Sequence, residues 1–507
     1  MTYISLDFLY FLLFFLTLYS VVRNQYLKQL ILLAGNIYFY CYAGISALVI
    51  ILCSAVIVFA GTRWIDSIYS EYRERSAELA PPEKIKLFSQ YKKKTVYIVW
   101  GILLLLLTVF VYVKCGKFFG WKDVEFSEFV FGKSIIVPLG LSYYTLSLIG
   151  YLMDVYRDRI SCERNIFSFI TCVTYFPHII QGPISKYDRL LVQLKNLPVF
   201  DYERFCYGLQ LMLWGYLKKL VLADTISLFT THVFLGLHAD SLVFVSMAVV
   251  LYAIQLYADF SGCIDIVTGL SEAMGIRLDK NFERPFFSQS AGEFWRRWHI
   301  SLGVWFKEYI YMPIATASWF KNAVKKIRKS RGRQLGIIVS VAVPSFAVWI
   351  LTGIWHGTGL DYVLWGLYWG VLIVTAEILQ DRFGKWKSFL KVKEETFLYK
   401  LFMKIRTFGL YCVGLLFIIP GTFAGVTGEV YRTTRDNIVI VIGVVFLVAV
   451  EILLETFHKK GISLREYIGK QNIFIRWIIY FGALFVLVLF GKFGIGYNAE
   501  TFIYAGF

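Results

Sequence analysis

Long apolar stretches alternate with short charged segments along most of the chain. Several of them approach or exceed the roughly 20 apolar residues that cross a bilayer as a helix. They cover residues 8–22, 30–61, 96–113, 135–153, 336–351, 362–379, 401–420, 438–454 and 473–490. The pattern predicts an all-α polytopic membrane protein with about 11–13 transmembrane or re-entrant helices. The first run has no basic segment before it and no small-residue cleavage site, so we expect a retained helix.

The segment from 166 to 312 departs from this simple alternation. Glycine, proline and polar residues interrupt apolar sequence at 138–144, 175–183 and 257–265. Irregular backbone at membrane depth is tolerated where it is buried in protein or lines a cavity. We therefore expect short re-entrant or tilted helices around a wet chamber. We find no internal repeat and interpret residues 1–507 as one membrane domain, with a motif core at about 135–375 and C-terminal helices and an aromatic tail at 400–507.

The net charge of +17 is concentrated in particular loops. Residues 321–333, expected to form a loop, carry seven basic residues and no acid. This distribution is typical of cytoplasmic loops that face anionic lipid, and it favours a bilayer over nucleic acid as the partner. Placing the basic loops inside predicts a multi-pass membrane protein whose N- and C-termini are both extracytoplasmic. The eight cysteines are scattered and form no CxxC pair, which predicts neither a disulfide framework nor a metal site.

His356 is the first candidate for chemistry, because it lies between two apolar stretches. A titratable ring inside a membrane is a functional candidate by default. Glycines 353, 357 and 359 flank it and allow a ligand or another backbone to come close. The ring is either a general base that takes a proton from an attacking hydroxyl, or a structural histidine that bridges two helix ends.

His299 is the second candidate, on a segment whose aromatic residues recur at helical spacing. Trp295, Trp298, Leu302, Trp305 and Tyr309 would share one stripe of a single helix, with His299 at its edge. Arg297 is expected to pair with Glu293 at i,i+4. Arg296 and Arg297 either snorkel to the interface or hold the phosphates of a coenzyme A or phosphopantetheine donor.

Two further groups have supporting roles in this interpretation. The carboxylates of Asp259 and Asp265 lie in apolar sequence, where each orients a histidine, binds a polar partner or caps a helix. His178 follows Pro177 and is assigned a supporting position near the site.

The ordered motifs resemble the membrane-bound O-acyltransferase superfamily, and within it the bacterial alginate O-acetyltransferase membrane subunits. The resemblance rests on PLGLSYY, YFPHIIQGP, YADFSG, EFWRRWHISL and GIWHG, at 138–144, 175–183, 257–262, 293–302 and 353–357. It implies a ring of helices around a central funnel or tunnel. It also implies that His356 matches the invariant family histidine, that His299 matches the second motif histidine, and that Trp355 supports them.

The same resemblance implies a function. An acyl group, most simply acetyl from acetyl-CoA, would pass from a cytoplasmic thioester across the membrane for O-acetylation of an exported or cell-wall polysaccharide, as in exopolysaccharide biosynthesis. No cofactor would be bound. An extracytoplasmic SGNH-type acyltransferase or esterase would be the partner. The tail ends FIYAGF at 502–507, where Tyr504 either relays the acyl group or anchors the tail at the interface.

Two other functions remain open from the residues alone. One is the D-alanyl transfer protein of teichoic acid D-alanylation, which would take its acyl group from a carrier-protein thioester. The other is a proton-coupled transporter without enzymatic activity, because intramembrane histidines and aspartates also form proton relays. The absence of an inverted repeat disfavours the transporter.

Overall fold

The computed structural model describes residues 2–115, 140–234, 242–357, 359–419 and 433–493. Helices form the regular structure of these ranges, which contain no β-strand. The predicted all-α class is therefore confirmed. The chain divides into two compact units, one made of residues 1–209 and 267–279 and the other of residues 210–266 and 280–507. The assignment of a single membrane domain stays a prediction.

The first unit begins with four helices of 16 to 35 residues and continues with helices of at most 16 residues. Its helices are α1 Leu6–Val21, α2 Gln25–Ala43, α3 Ile45–Ser76, α4 Pro81–Cys115, α5 Leu141–Tyr156, α6 Ile166–Val173, α7 Phe176–Ile179 and α8 Tyr187–Lys195. The apolar run at 30–61, which the hydropathy pattern shows as one stretch, is divided between α2 and α3. Gly44 separates them at φ +126°, a conformation that favours glycine.

The second unit contains the candidate histidines and most of the tryptophans. Helix α9 (Tyr202–Tyr216) and helix α11 (Leu242–Ala273) contribute residues to both units. The other helices of the second unit are α10 Asp224–His232, α12 Ala291–Arg297, α13 Ile300–Phe306, α14 Met312–Thr316, α15 Ser318–Arg331, α16 Arg333–His356, α17 Leu360–Ile378, α18 Gln380–Phe389, α19 Phe397–Leu415, α20 Thr433–Lys459, α21 Leu464–Gly469 and α22 Ile473–Phe490. Two π-helical segments, Leu217–Ala223 and Lys307–Tyr311, and a 3₁₀ turn, Pro285–Phe287, lie between them.

Seven helices within the described ranges are long and apolar enough to cross a membrane. They are Ile45–Ser76, Pro81–Tyr112, Leu242–Ala273, Arg333–His356, Leu360–Ile378, Asn437–Lys459 and Ile473–Phe490. This finding, together with the shorter apolar helix α1, confirms the multi-pass membrane class.

Two local expectations are wrong. The interrupted stretch at 257–265 lies inside the continuous helix α11, because one glycine lowers helix stability by only about 1 kcal/mol and the residues around it are buried by tertiary packing. The basic segment 321–333, expected as a loop, is helical in α15 as far as Arg331, with Phe320 and Val324 buried on one face. Its lysines and arginines occupy the other side, which is the arrangement of an amphipathic helix.

Candidate active site

His356 is the last residue of α16 and is 7% exposed. The backbone leaves the helix at Gly357, whose N–H donates to the carbonyl of Gly353 at 3.1 Å. Helix α17 begins three residues further on, at Leu360. His356 therefore lies at the turn between two membrane-length helices, as the hydropathy pattern predicts.

The glycines around His356 allow the backbones of α16 and α17 to touch. A Cβ on Gly353 would overlap the carbonyl oxygen of Tyr362, and a Cβ on Gly366 would overlap that of Trp349. The sequence left open whether these glycines admit a ligand or another backbone, and these contacts favour another backbone. The tight hairpin fixes the position at which His356 leaves its helix.

Two indole rings enclose the imidazole of His356. The ring of Trp365 lies edge-on to it at a centroid distance of 5.3 Å, and the ring of Trp355 lies edge-on at 4.7 Å. Both tryptophans are buried, at 6% and 7% exposure. The imidazole therefore lies in an apolar aromatic setting, where electrostatic interactions are stronger than in water.

His299 lies between two short helices, and the predicted single helix across 293–309 is wrong. Helix α12 ends at Arg297 and α13 begins at Ile300. Trp298 between them is extended, and His299 has φ +47°, in the left-handed region that L-residues seldom adopt. Such strain persists where surrounding contacts impose it, and it often occurs at functional sites.

Backbone contacts with the chain at 281–283 hold this strained link. The N–H of Ile300 donates to the carbonyl of Asn281 at 2.9 Å, and the N–H of Glu283 donates to the carbonyl of Arg297 at 2.9 Å. Because these bonds lie on both sides of His299, they fix the direction in which its side chain leaves the backbone.

The side chain of His299 is 3% exposed and lies against both polar and aromatic groups. Its Nδ1 lies 3.2 Å from Oδ1 of Asn281. Phe260 of α11 is edge-on to the ring at 4.8 Å, and Trp355 is 6.0 Å away. Burial lowers the pKa of His299 to about 3, so that the imidazole is neutral near pH 7.

Trp355 connects the two histidines. The centroid of its ring lies 4.7 Å from that of His356 and 6.0 Å from that of His299. His299 and His356, which are 57 positions apart in the chain, thus lie in one cluster. We call these two histidines, together with Trp355, the histidine pair.

The two arginines of α12 differ in their surroundings. Arg297 donates to Glu293 at 2.7 Å, which confirms the predicted i,i+4 pair, and it also contacts the carbonyl of Arg284 at 3.5 Å. Arg296 is exposed.

Asp259 contacts a lysine in the structure, so it binds a polar partner, which is one of the roles that the sequence left open. The Nζ of Lys219 lies 2.6 Å from its carboxylate and 2.9 Å from that of Asp224. The neighbouring Lys218 pairs with Asp265 at 2.7 Å and donates to Ser261 at 2.8 Å. We call Lys218, Lys219, Asp224, Asp259 and Asp265 the ion network.

Sequence reasoning missed Asn281 and both lysines. The lysines had a usable signal, since two adjacent cations interrupt the apolar sequence between Tyr216 and Ala223. Asn281 had none, because one asparagine in a polar segment resembles any turn residue. No group of three or more His, Cys, Asp or Glu that could hold a metal occurs in the described part of the chain.

His178 belongs to the first unit, in the four-residue helix α7. It is 5% exposed, its ring lies 5.4 Å from that of Tyr175, and burial lowers its pKa to about 4. In the same unit a Cβ on Gly140 would overlap the carbonyl oxygen of Ile179, so the described part of motif 138–144 packs on motif 175–183. Residues 138 and 139 and Tyr504 lie outside the described residues.

The sequence of this chain is similar to those of several known proteins. A relative named "Probable alginate O-acetylase AlgI", from Pseudomonas syringae pv. tomato, is 34% identical over 237 residues, which are 47% of this chain and 42% of that protein. A peptidoglycan O-acetyltransferase of Helicobacter pylori is 32% identical over 265 residues, 47% of each chain. A teichoic acid D-alanyltransferase of Bacillus subtilis is 27% identical over 283 residues, 55% of this chain and 68% of that protein.

The matches to the acetyltransferases cover only part of each protein. The chain spans about half the length of the acetyltransferase relatives it matches. The family comparison covers more of the chain, because a sequence model described as MBOAT, membrane-bound O-acyltransferase family, matches residues 100–419. That range contains both histidines, the ion network and every motif from 138 to 357. The chain therefore belongs to the membrane-bound O-acyltransferase family.

Proposed function

We propose that this protein is a membrane O-acyltransferase that moves an acetyl group from cytoplasmic acetyl-CoA across the membrane, for O-acetylation of an exported or cell-wall polysaccharide. The observation that carries the proposal is the histidine pair: two buried imidazoles whose rings both lie within 6.0 Å of the ring of Trp355, with His356 at the end of a membrane-length helix. Family membership and the names of the acetyltransferase relatives support it.

In this mechanism His356 is the general base. Its imidazole takes the proton of an acceptor hydroxyl while the hydroxyl oxygen attacks the thioester carbonyl carbon. The tetrahedral intermediate then collapses, the carbon–sulfur bond breaks, and the thiolate recovers the proton from the imidazolium. Trp355 and Trp365 exclude water, which limits hydrolysis of the thioester. His299 assists, either by orienting the thioester or by balancing charge during the reaction.

We assign the phosphates of the donor to Arg296. Its side chain is exposed, whereas the charge of Arg297 is compensated by Glu293 at 2.7 Å. A guanidinium binds phosphate through parallel N–H donors, so an exposed arginine is suited to this role.

An extracytoplasmic SGNH-type protein is the proposed acceptor of the acyl group, in a bacterial inner or plasma membrane with both termini of the chain outside. Tyr504 is either a relay to that partner or an interfacial anchor. If it is a relay, Tyr504→Phe lowers transfer to the partner without lowering the use of acetyl-CoA. Full transfer by the variant would exclude the relay.

D-alanyl transfer is the second candidate. It is favoured by the match to the Bacillus subtilis teichoic acid D-alanyltransferase, which covers 68% of that protein. The donor would then be a D-alanyl thioester on a carrier protein, and the same base chemistry at His356 would apply.

The test is a donor assay on purified protein in nanodiscs. Radiolabelled acetyl-CoA is incubated with wild type, His356→Ala and the matched control His458→Ala, whose side chain is 63% exposed. We expect loss of thioester in wild type and in His458→Ala but not in His356→Ala. Equal turnover by His356→Ala would contradict the assignment of the base. Turnover with a D-alanyl carrier thioester and none with acetyl-CoA would establish the second candidate.

A further inference from the structure

The amide oxygen of Asn281 lies at the centre of the contacts around His299. Asn281 is 1% exposed. Its Oδ1 accepts the backbone N–H of Ser301 at 3.1 Å and the hydroxyl of Ser301 at 2.9 Å, and it lies 3.2 Å from Nδ1 of His299. Three groups on one short segment of chain therefore converge on one oxygen.

These contacts determine which way the amide faces. A backbone N–H can only donate, so the atom facing Ser301 must be the oxygen and not the NH₂ group. If the amide were turned over, its NH₂ would face the N–H of Ser301, donor against donor. The orientation of Asn281 thus follows from a donor whose identity is certain.

The protonation of the histidine follows in turn. An amide oxygen only accepts, so Nδ1 of His299 must carry the hydrogen of their 3.2 Å contact. Because a neutral imidazole has one N–H, the lone pair then resides on Nε2. Burial keeps this ring neutral, since it lowers the pKa of His299 to about 3.

We propose that Asn281 is a positioning residue that holds His299 as the Nδ1–H tautomer and so directs the lone pair of Nε2 to the substrate. The inference deepens the proposed acyl transfer, because it names the nitrogen of His299 that accepts a hydrogen bond or proton there. The backbone bonds from Ile300 to Asn281 and from Glu283 to Arg297 complete the positioning.

A purely structural role for Asn281 has a different consequence. If the asparagine only caps the start of α13 through Ser301, its loss would destabilise the protein and would leave the tautomer of His299 unaltered. The two roles therefore separate in a measurement of which imidazole nitrogen is protonated.

The direct test is solid-state NMR on protein labelled with ¹⁵N-histidine in nanodiscs at pH 7. The His299 signals are identified as those lost in His299→Gln. We expect a protonated Nδ1 and an unprotonated Nε2 in wild type, and loss of that preference in Asn281→Leu, which has similar volume and no acceptor. A wild-type His299 protonated at Nε2 would overturn the inference, whatever the activity.

Kinetics provide a second test with a matched control. Asn281→Leu should lower kcat by about tenfold to a hundredfold with little change in KM for the donor, a part of the roughly 10²–10⁴ that general acid–base catalysis supplies. Asn281→Asp keeps an acceptor oxygen and should recover most of this loss. Ser301→Ala removes one bond to the same oxygen and keeps Nδ1 protonated, so it should preserve the tautomer.

The outcomes of the two tests separate this inference from the proposed function. If Asn281→Leu changes the tautomer but not kcat, His299 does not act through Nε2 and the positioning role is refuted. If wild type has the expected tautomer and neither donor is consumed, the acyl transfer proposal fails while the tautomer assignment stands.

Discussion

The second unit buries titratable groups in two regions, which differ in how they offset the free-energy cost of burying charge. In the ion network each charge lies against an opposite one, with Lys219 within 2.9 Å of two carboxylates. In the histidine pair the rings lie among tryptophan and phenylalanine, and burial lowers the pKa of His299 to about 3. The first region places each charged side chain against an opposite one, whereas burial disfavours the charged form of His299.

One helix serves both regions. Asp259 of α11 contacts Lys219, and the next residue, Phe260, lies edge-on to His299. Successive residues of a helix point roughly 100° apart, so one turn of α11 can face an ion pair on one side and an imidazole on another. A change in the ion network is therefore expected to reach His299 by rotating or displacing this helix.

The difference supports the proposed location of the chemistry. Paired buried charges are costly to separate, and they hold helices in register. A neutral imidazole can gain and lose a proton during a reaction without breaking an ion pair. We therefore assign proton transfer to the histidine pair and helix positioning to the ion network.

The largest expected effect is on activity and comes from the histidine pair. His356→Gln keeps a polar side chain of similar size but has no basic nitrogen, so acyl transfer should fall by about 10²–10⁴. The thermal unfolding midpoint of the purified variant should stay close to that of wild type. A loss of activity accompanied by an equal loss of folded protein would mean that His356 has a structural role, as the ion network does.

The ion network should show the opposite behaviour. Lys219→Ala leaves Asp224 and Asp259, each at most 2% exposed, without their cation, and should destabilise the protein by about 3–5 kcal/mol. Lys280→Ala is the matched control, because this lysine is 61% exposed and pairs with Glu283 at the surface, a pair worth about 0–1 kcal/mol. Unfolding midpoints in detergent compare the two, and equal midpoints would remove the distinction between the regions.

A smaller effect is expected where α16 and α17 pack closely beside His356. Gly353→Ala places a Cβ against the carbonyl of Tyr362, so α16 and α17 must move apart, at a cost of about 1–3 kcal/mol and with a displaced His356. Gly409→Ala, on α19, meets nothing within 4 Å and should be neutral or slightly stabilising. Activity and unfolding midpoint are measured for both. Full activity in Gly353→Ala would show that hairpin spacing does not position the imidazole.

The smallest expected effect is a pH dependence of stability that arises from His299. Its pKa is about 3 in the folded protein against an ordinary 6.5, so below pH 6.5 the unfolded chain binds the proton first. The free energy of unfolding should fall as the pH falls from 6.5 towards 3, by about 1 kcal/mol between pH 7 and 5.5. His299→Gln should lose less stability over that interval than wild type. Identical losses would mean that His299 is not buried in its neutral form.

Local sequence was sufficient for some features of the site and insufficient for others. The position of His356 between two membrane spans and the Arg297–Glu293 pair were predictable, since both depend on neighbours within a few residues. The break at Trp298 and His299 was not, because the aromatic spacing there fits one continuous helix. Contacts with 281–283 impose the left-handed residue against that local preference.

The sequence by itself determined the membrane class, the place of His356 and the membership of a family of acyltransferases, because hydropathy and ordered motifs add up along the chain. Only the tertiary structure decided that Asn281 partners His299, that Lys219 partners Asp259, and that the ring of Trp355 lies near those of both histidines. These contacts join residues 18, 40 and about 56 positions apart. Which distant residue meets which is set by how the helices pack, and a local pattern of polar and apolar positions carries no information about that choice.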